Sequence, residues 1–185
     1  MMQIIRPICK STVRWLSVFI ISMFLVSNIF AHATISELVF PLENVPATTL
    51  SKKDIKQLDC LARNIYYESA TESWEGKIAV GQVTMNRLDD GGYGTDVCAV
   101  VYQRTPYKGL IVCQFSWTCQ IRGTPHLNNE WWEQSKMAAY HVYVDQYRLK
   151  ELETALFFHS TTVNPRWHLR RLKQIGNHIF YGFFV

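Results

Sequence analysis

Glu68 is the residue through which this sequence could do chemistry. It follows Leu61 and Ile65 at helical spacing, which sets a carboxylate beside an apolar stripe near a helix end. Partial desolvation there disfavours the ionised form and raises the pKa, as a general acid working near neutral pH requires. Tyr66 and Tyr67 beside it could supply hydrogen bonds or a face for a sugar ring. The plainer reading is a solvated carboxylate, since most helical carboxylates are surface groups. Glu72 and Glu75 follow. If the helix persists, Glu72 lies one turn beyond Glu68, and its charge would raise the acid's pKa further. Both could equally be N-terminal charges of the next helix, stabilised by its dipole.

Gln114, Phe115, Ser116 and Trp117 would suit a glycan groove, with aromatic faces on sugar rings and amide and hydroxyl groups bonding their substituents. Core packing is the competing reading for Phe115 and Trp117. Asn86 and His159 are candidates for the same wall, or else satisfied buried polar groups. Cys60, Cys98, Cys113 and Cys119 make an even set, and in an oxidising compartment two disulfides are expected, with three connectivities open. No pair has the short gap of a zinc knuckle, and neither metal nor cofactor is expected. A cysteine peptidase would pair Cys60 or Cys113 with His159 or His178, which disulfide formation would prevent.

These groups need a scaffold. Ser51 with Asp54 reads as a capping box, and Ile55, Leu58, Leu61, Ala62, Ile65 and Ser69 then predict a helix over 52–70. A second helix from Ser73 or Trp74 to Leu88 is apolar nearly all round and hence buried. Between Asp96 and Pro125 no period emerges, and a long loop or irregular cleft wall is expected. Asn128 or Asn129 caps a third helix running to about Tyr147. Ala155 to His159 reads as a strand, and His168–Gln174 and His178–Phe184 as a hairpin around Ile175-Gly176-Asn177. Helices first and strands last predict a compact single α+β domain, a helical core with a small antiparallel sheet.

Arg6, Lys10 and Arg14 precede a run free of charge from Trp15 to Phe30 that ends at Ala31-His32-Ala33. That layout predicts a secretory signal peptide over 1–33, an extended linker over 34–51 and a folded domain over 52–185. It sends the protein to the periplasm or cell envelope. The chain has 19 Lys+Arg against 15 Asp+Glu, and three of those cations leave with the signal. The remainder is nearly neutral and gives no support to a nucleic-acid partner. A monomer is expected, and no regulatory protein is indicated. Arg166, Arg170, Arg171 and Lys173 form a local basic group for stem-peptide carboxylates, for an anionic surface or simply for solvent.

Several ordered blocks carry a resemblance. Cys60 to Glu68 (CLARNIYYE), then Glu72, Glu75 to Val80 and Val83 to Arg87, resemble the catalytic region of the SleB/CwlJ-type cell-wall hydrolases known from spore-cortex lysis. Val97 to Gln103, Cys113 to Trp117, Phe158 to Trp167 and Ile175 to Tyr181 resemble the blocks that follow. Together they span about residues 57–182. The resemblance implies a lysozyme-like, transglycosylase-related α+β fold with Glu68 as the catalytic residue. It implies cleavage of peptidoglycan glycan strands between N-acetylmuramic acid and N-acetylglucosamine, commonly as a lytic transglycosylase forming 1,6-anhydro ends. Glu72 and Glu75 match acidic positions and would be partners in a hydrolytic version. Two stretches depart: Ser69-Ala70-Thr71 stands where Ala-Arg-Gly is common, and Cys119-Gln120-Ile121 where Cys-Asp-Gly is often found. A non-catalytic glycan-binding protein is the third reading.

Overall fold

The computed structural model describes residues 50–121 and 127–184, so the expected signal segment and nearly all of the linker lie outside the described residues. Helix α1 (Lys52–Ser69) starts as the sequence predicts: the Ser51 hydroxyl accepts from Asp54 N at 3.1 Å and the Asp54 carboxylate accepts from Ser51 N at 3.2 Å. Its apolar stripe buries Leu61, Ala62 and Ile65, whereas Ile55, expected on that stripe, is exposed. Helix α2 (Trp74–Asp90) is buried from Gly76 through Met85 and ends on Gly91 at φ 77°. At Gly81 the helices approach so closely that a Cβ would sit 3.0 Å from Ile65 Cδ1 and 3.3 Å from Val142 Cγ2. Hydrogen at that position is what lets α1, α2 and α5 (Asn129–Tyr143) share one core.

The third helix stops at Tyr143, short of the expected Tyr147. Gln146 takes a positive φ of 55°, and Tyr147 N donates to His141 O at 3.0 Å. Arg148 Nη1 caps the freed Val142 carbonyl at 2.6 Å. A side chain six residues away thus ends the helix, a contact that periodicity does not reveal.

The described part of the stretch expected to be irregular holds four short elements. Asp96 caps α3 (Val97–Val101), its carboxylate accepting from Ala99 N at 2.8 Å. Strands β1 (Arg104–Tyr107) and β2 (Leu110–Cys113) form a hairpin across Lys108 and Gly109, with φ of 48° and 78°. Helix α4 (Trp117–Gln120) follows. Elements this short complete too few periods to register as a pattern.

A three-stranded antiparallel sheet ends the chain in the order β3 (Phe157–Ser160), β5 (His178–Gly182), β4 (Arg170–Ile175). The β4–β5 turn is the pair Gly176-Asn177, since Ile175 faces His178 directly. Its inner face sends Phe180 into a second cluster with Ala79, Val83, Leu152 and Ala155. The architecture is the expected α+β arrangement, helices first and a small antiparallel sheet last. Two disulfides choose among the three open pairings: Cys60–Cys98 ties α1 to α3, and Cys113–Cys119 closes the chain between β2 and α4. Closing a loop of 38 residues removes unfolded-state entropy equivalent to roughly 4 kcal/mol in the chain-entropy picture. Among the described residues no helix is long and apolar enough to cross a membrane.

Candidate functional site

Glu68 sits in the last turn of α1, which contains no basic residue. Two features there oppose its ionisation. The negative end of the helix dipole disfavours a carboxylate in the last turn, and the half-buried side chain loses hydration. Desolvation pushes its pKa from 4.5 up to about 7, against the opposing pull of the Arg87 guanidinium. Among the described residues the ion pairs are Asp59–Arg63, Glu133–Lys136, His141–Asp145 and Glu151–Lys173, so none neutralises Glu68.

Arg87 is the charged neighbour of Glu68 that sequence reading passed over. It is 4% exposed, near the end of α2, and its Nε donates to Leu156 O at 2.8 Å. The guanidinium lies 4.9 Å from the Phe115 ring centroid and 5.4 Å from that of Tyr93. Burial lowers its pKa to about 10, which leaves it charged at neutral pH. Gln114 joins this group when its amide is set to satisfy both ends: the oxygen accepts from the Arg87 terminal nitrogens at 3.1 and 3.2 Å, and the nitrogen donates to Gln103 Oε1 at 3.0 Å. With Lys77, Arg87 is one of two cations in a helix that is buried along most of its length, and that was the available signal, because a buried charge must be matched.

A second buried network steadies the helix that carries Glu68. Asn64 is fully buried; its Nδ2 donates to Thr84 Oγ1 and its Oδ1 accepts from Trp117 Nε1, both at 3.0 Å. Trp117 in turn stacks on Tyr67 with centroids 4.5 Å apart. Phe115 and Trp117 are therefore core residues, with little ring face left for a sugar. Ser116 is exposed at the start of α4 and makes no cap. The Tyr67 hydroxyl is buried without a partner among the described residues.

Glu72 does not continue the helix from Glu68. Helix α1 ends at Ser69, and among the described residues the neighbouring charge that acts on Glu68 is that of Arg87, not Glu72. The Glu72 carboxylate instead spans to the β4–β5 turn, accepting from Asn177 N at 3.1 Å and from Asn177 Nδ2 at 3.0 Å. Lys77 fixes the same bend from below. Its side chain is 2% exposed, and Nζ donates to Ala70 O at 2.8 Å and Glu72 O at 2.6 Å. Glu75 is exposed in the first turn of α2, where a negative charge suits the dipole.

Asn86 belongs to the scaffold, its Nδ2 donating to Leu152 O at 2.8 Å and Ala155 O at 2.9 Å. With Gln82, which bonds both backbone groups of Leu149, it fastens α2 to the segment entering β3. His159 lies on the sheet in a separate aromatic group with Trp167 and Tyr181. His178 is buried, its Nδ1 unpaired among the described residues, and burial lowers its pKa. Two surface depressions, one beside Asn86 and Phe183 and one beside Ile55 and Trp132, are not lined by Glu68. Partial burial, rather than either depression, therefore distinguishes this carboxyl.

Residues 71–181 match the sequence model of the family described as Cell Wall Hydrolase. The chain belongs to that family. The match takes in Arg87, Gln114 and all of the sheet but Gly182, and it begins just after Glu68. A curated relative, the spore cortex-lytic enzyme of Bacillus subtilis (strain 168), is 27% identical over 135 residues, covering 70% of this chain and 38% of the relative. The chain thus spans well under half of that protein's length. No solved structure matches the chain significantly. Family membership and both disulfide-bonded cysteine pairs leave the cysteine peptidase reading without a free thiol at Cys60 or Cys113.

Proposed function

We propose that this cell wall hydrolase is an exported enzyme that cuts peptidoglycan glycan strands between N-acetylmuramic acid and N-acetylglucosamine, with Glu68 as its acid. The observation that carries the reading is a half-buried carboxyl whose pKa is raised by desolvation to about 7 against the pull of the Arg87 charge. Such a group is substantially protonated near neutral pH and can donate. The kinship with a spore cortex-lytic enzyme supports a wall substrate.

The chemistry needs one carboxyl acting twice. Glu68 gives its proton to the glycosidic oxygen as the bond to the muramic acid anomeric carbon breaks and positive charge develops on the ring. The resulting carboxylate is stabilised by Arg87. It then takes the proton of the muramic acid 6-hydroxyl while that oxygen bonds the anomeric carbon, leaving a 1,6-anhydro end and restoring the acid. No attacking water is consumed. The engagement of Glu72 with Asn177 and the exposure of Glu75 favour this route over hydrolysis with a second carboxylate. Tyr67, through its place beside the acid, and Ser116, through its exposure, are the substrate-binding candidates this reading retains. Residues 1–33 act as a cleaved signal in the same reading, 34–51 as a linker and 52–185 as the catalytic domain.

The deciding experiment incubates the protein with purified sacculi and weighs the released muropeptides by mass spectrometry. Anhydro ends support the transglycosylase, and reducing ends the hydrolase. No release from an intact protein would leave a glycan binder. The Glu68→Gln protein must lose turnover, because the amide keeps the shape but has no proton of suitable acidity. Mass spectrometry of the mature N-terminus tests export, and a chain beginning at Met1 or Met2 argues against cleavage.

A further inference from the structure

The outer face of the three-stranded sheet carries aromatic side chains that the acid site does not use. Phe157 pairs with Tyr181 and His159 with Ile179, so these four share a face, and Arg171, opposite Tyr181 on β4, joins them. His159 stacks on Tyr181 with centroids 5.3 Å apart. Trp167 folds over this face from the loop before β4, its ring 5.3 Å from His159, 5.7 Å from Tyr181 and 6.2 Å from Phe157. It still leaves 42% of its surface in solvent.

The rings are held in fixed orientation by polar contacts. His159 Nδ1 lies 2.8 Å from Ser160 O and Nε2 lies 3.0 Å from the Tyr181 hydroxyl. The tautomer with hydrogen on Nδ1 satisfies both, donating to the carbonyl and accepting from the phenol. At the margin, Arg171 donates to Gln174 Oε1 at 3.1 Å. Neither Arg171 nor Arg166 meets a carboxylate among the described residues, whereas Lys173 pairs with Glu151. The face therefore combines a braced, exposed indole, polar ring edges and the Arg171 guanidinium, which meets no carboxylate among the described residues.

We infer that this face is a second glycan-binding surface of the enzyme, on which Trp167 stacks a sugar ring of peptidoglycan and Arg171 pairs with a stem-peptide carboxylate. A sugar offers an apolar face of C–H groups rimmed by hydroxyls, and it fits an aromatic plane with donors at its edge. The carboxylates of the wall peptides supply the counter-charge that Arg171 lacks. The ligand assignment rests on the peptidoglycan reading above, and it gives the basic group of the sequence a specific use.

The test uses the full chain carrying Glu68→Gln, so that sacculi stay intact during binding. Into it are placed Trp167→Ala, Trp167→Phe and Arg171→Ala, and sedimentation with sacculi is compared with sedimentation on anionic phospholipid vesicles. Trp167→Ala should weaken sacculus binding about ten-fold and Trp167→Phe less, because the phenyl ring retains part of the stacking. Arg171→Ala should weaken it several-fold at low salt and not at about 0.5 M salt, where exposed charges are screened. Sacculus binding unchanged in Trp167→Ala at an unchanged thermal midpoint overturns the inference, as does loss confined to vesicles or no binding by the parent protein. If Trp167→Ala fails to fold, Trp167→Phe and Arg171→Ala decide, and parental binding in both overturns it. Soluble muropeptides released by the Glu68→Gln parent would instead sink the acid assignment, a separate readout.

Discussion

Replacing Glu68 by glutamine should change how stability depends on pH. A carboxyl whose pKa moves from 4.5 in the unfolded chain to about 7 in the folded one binds more protons when folded throughout that interval. Its contribution is therefore fully present below pH 4.5, is lost as pH rises towards 7, and stays lost above. At about 1.4 kcal/mol per tenfold change in proton affinity, discounted for the solvent that reaches the half-exposed side chain, the loss is about 2–3 kcal/mol. The amide does not titrate. Glu68→Gln should accordingly gain about 2–3 kcal/mol on the parent between about pH 4.5 and 8, read as urea-unfolding free energies at matched ionic strength. Subtracting the two proteins removes every other titration, that of His178 included, because both share it. A second readout comes from the parent alone: turnover of sacculi should fall with a one-proton limb above about pH 7. A stability difference flat across that range would mean an ordinary carboxyl, and the desolvation argument would fail.

Arg87→Gln removes the one charge that favours the Glu68 carboxylate, so the alkaline limb of the pH–rate profile should move to higher pH. The same change strips the donor from the Leu156 carbonyl and should cost about 2–3 kcal/mol in urea unfolding. Asn64→Ala leaves Trp117 Nε1 and Thr84 short of a buried partner, with an expected loss of about 2–3 kcal/mol by the same measurement. Gly176→Ala meets both a positive φ of 53° and the Glu72 carboxylate, and about 1–2 kcal/mol of destabilisation is expected in urea. Glu72→Gln keeps one acceptor for Asn177; it should lower the thermal midpoint while leaving the product type unchanged, and a switch from reducing to anhydro ends would instead reveal a hydrolytic partner.

What was legible in the sequence is what burial and local hydrogen bonding decide. The capping box at Ser51, the all-round apolar α2 and the closing hairpin all stand in the structure, because each is specified by residues within a few positions of one another. The direction of the Glu68 shift was legible too, because it comes from burial and the helical spacing sets this carboxyl near the apolar stripe. The supporting contacts were not. Arg148 ending α5, Glu72 reaching Asn177 and Arg87 meeting Leu156 depend on segments brought together only by folding. The disulfide pairing is of that kind too, since three connectivities satisfy the same four cysteines. The hairpin β1–β2 escaped notice because its strands are four residues each and exposed, with no alternation to read.

Those long-range contacts share a direction that bears on how the acid is held. Helix α2 projects Gln82, Asn86 and Arg87 onto the chain from Leu149 to Leu156, fastening the start of the sheet to the helical core. Lys77 and Glu72 fasten the bend after Glu68 to the far end of the same sheet, at the Asn177 turn. The helix end carrying Glu68 is thus tied at both sides to a sheet it does not itself touch through hydrogen bonds. Among the described residues its carboxyl meets no competing ion-pair partner, while its surroundings are fixed. A general acid needs this combination, because a hydrogen bond donated to its ionised form would lower the pKa and a loose helix end would let water restore the ordinary value.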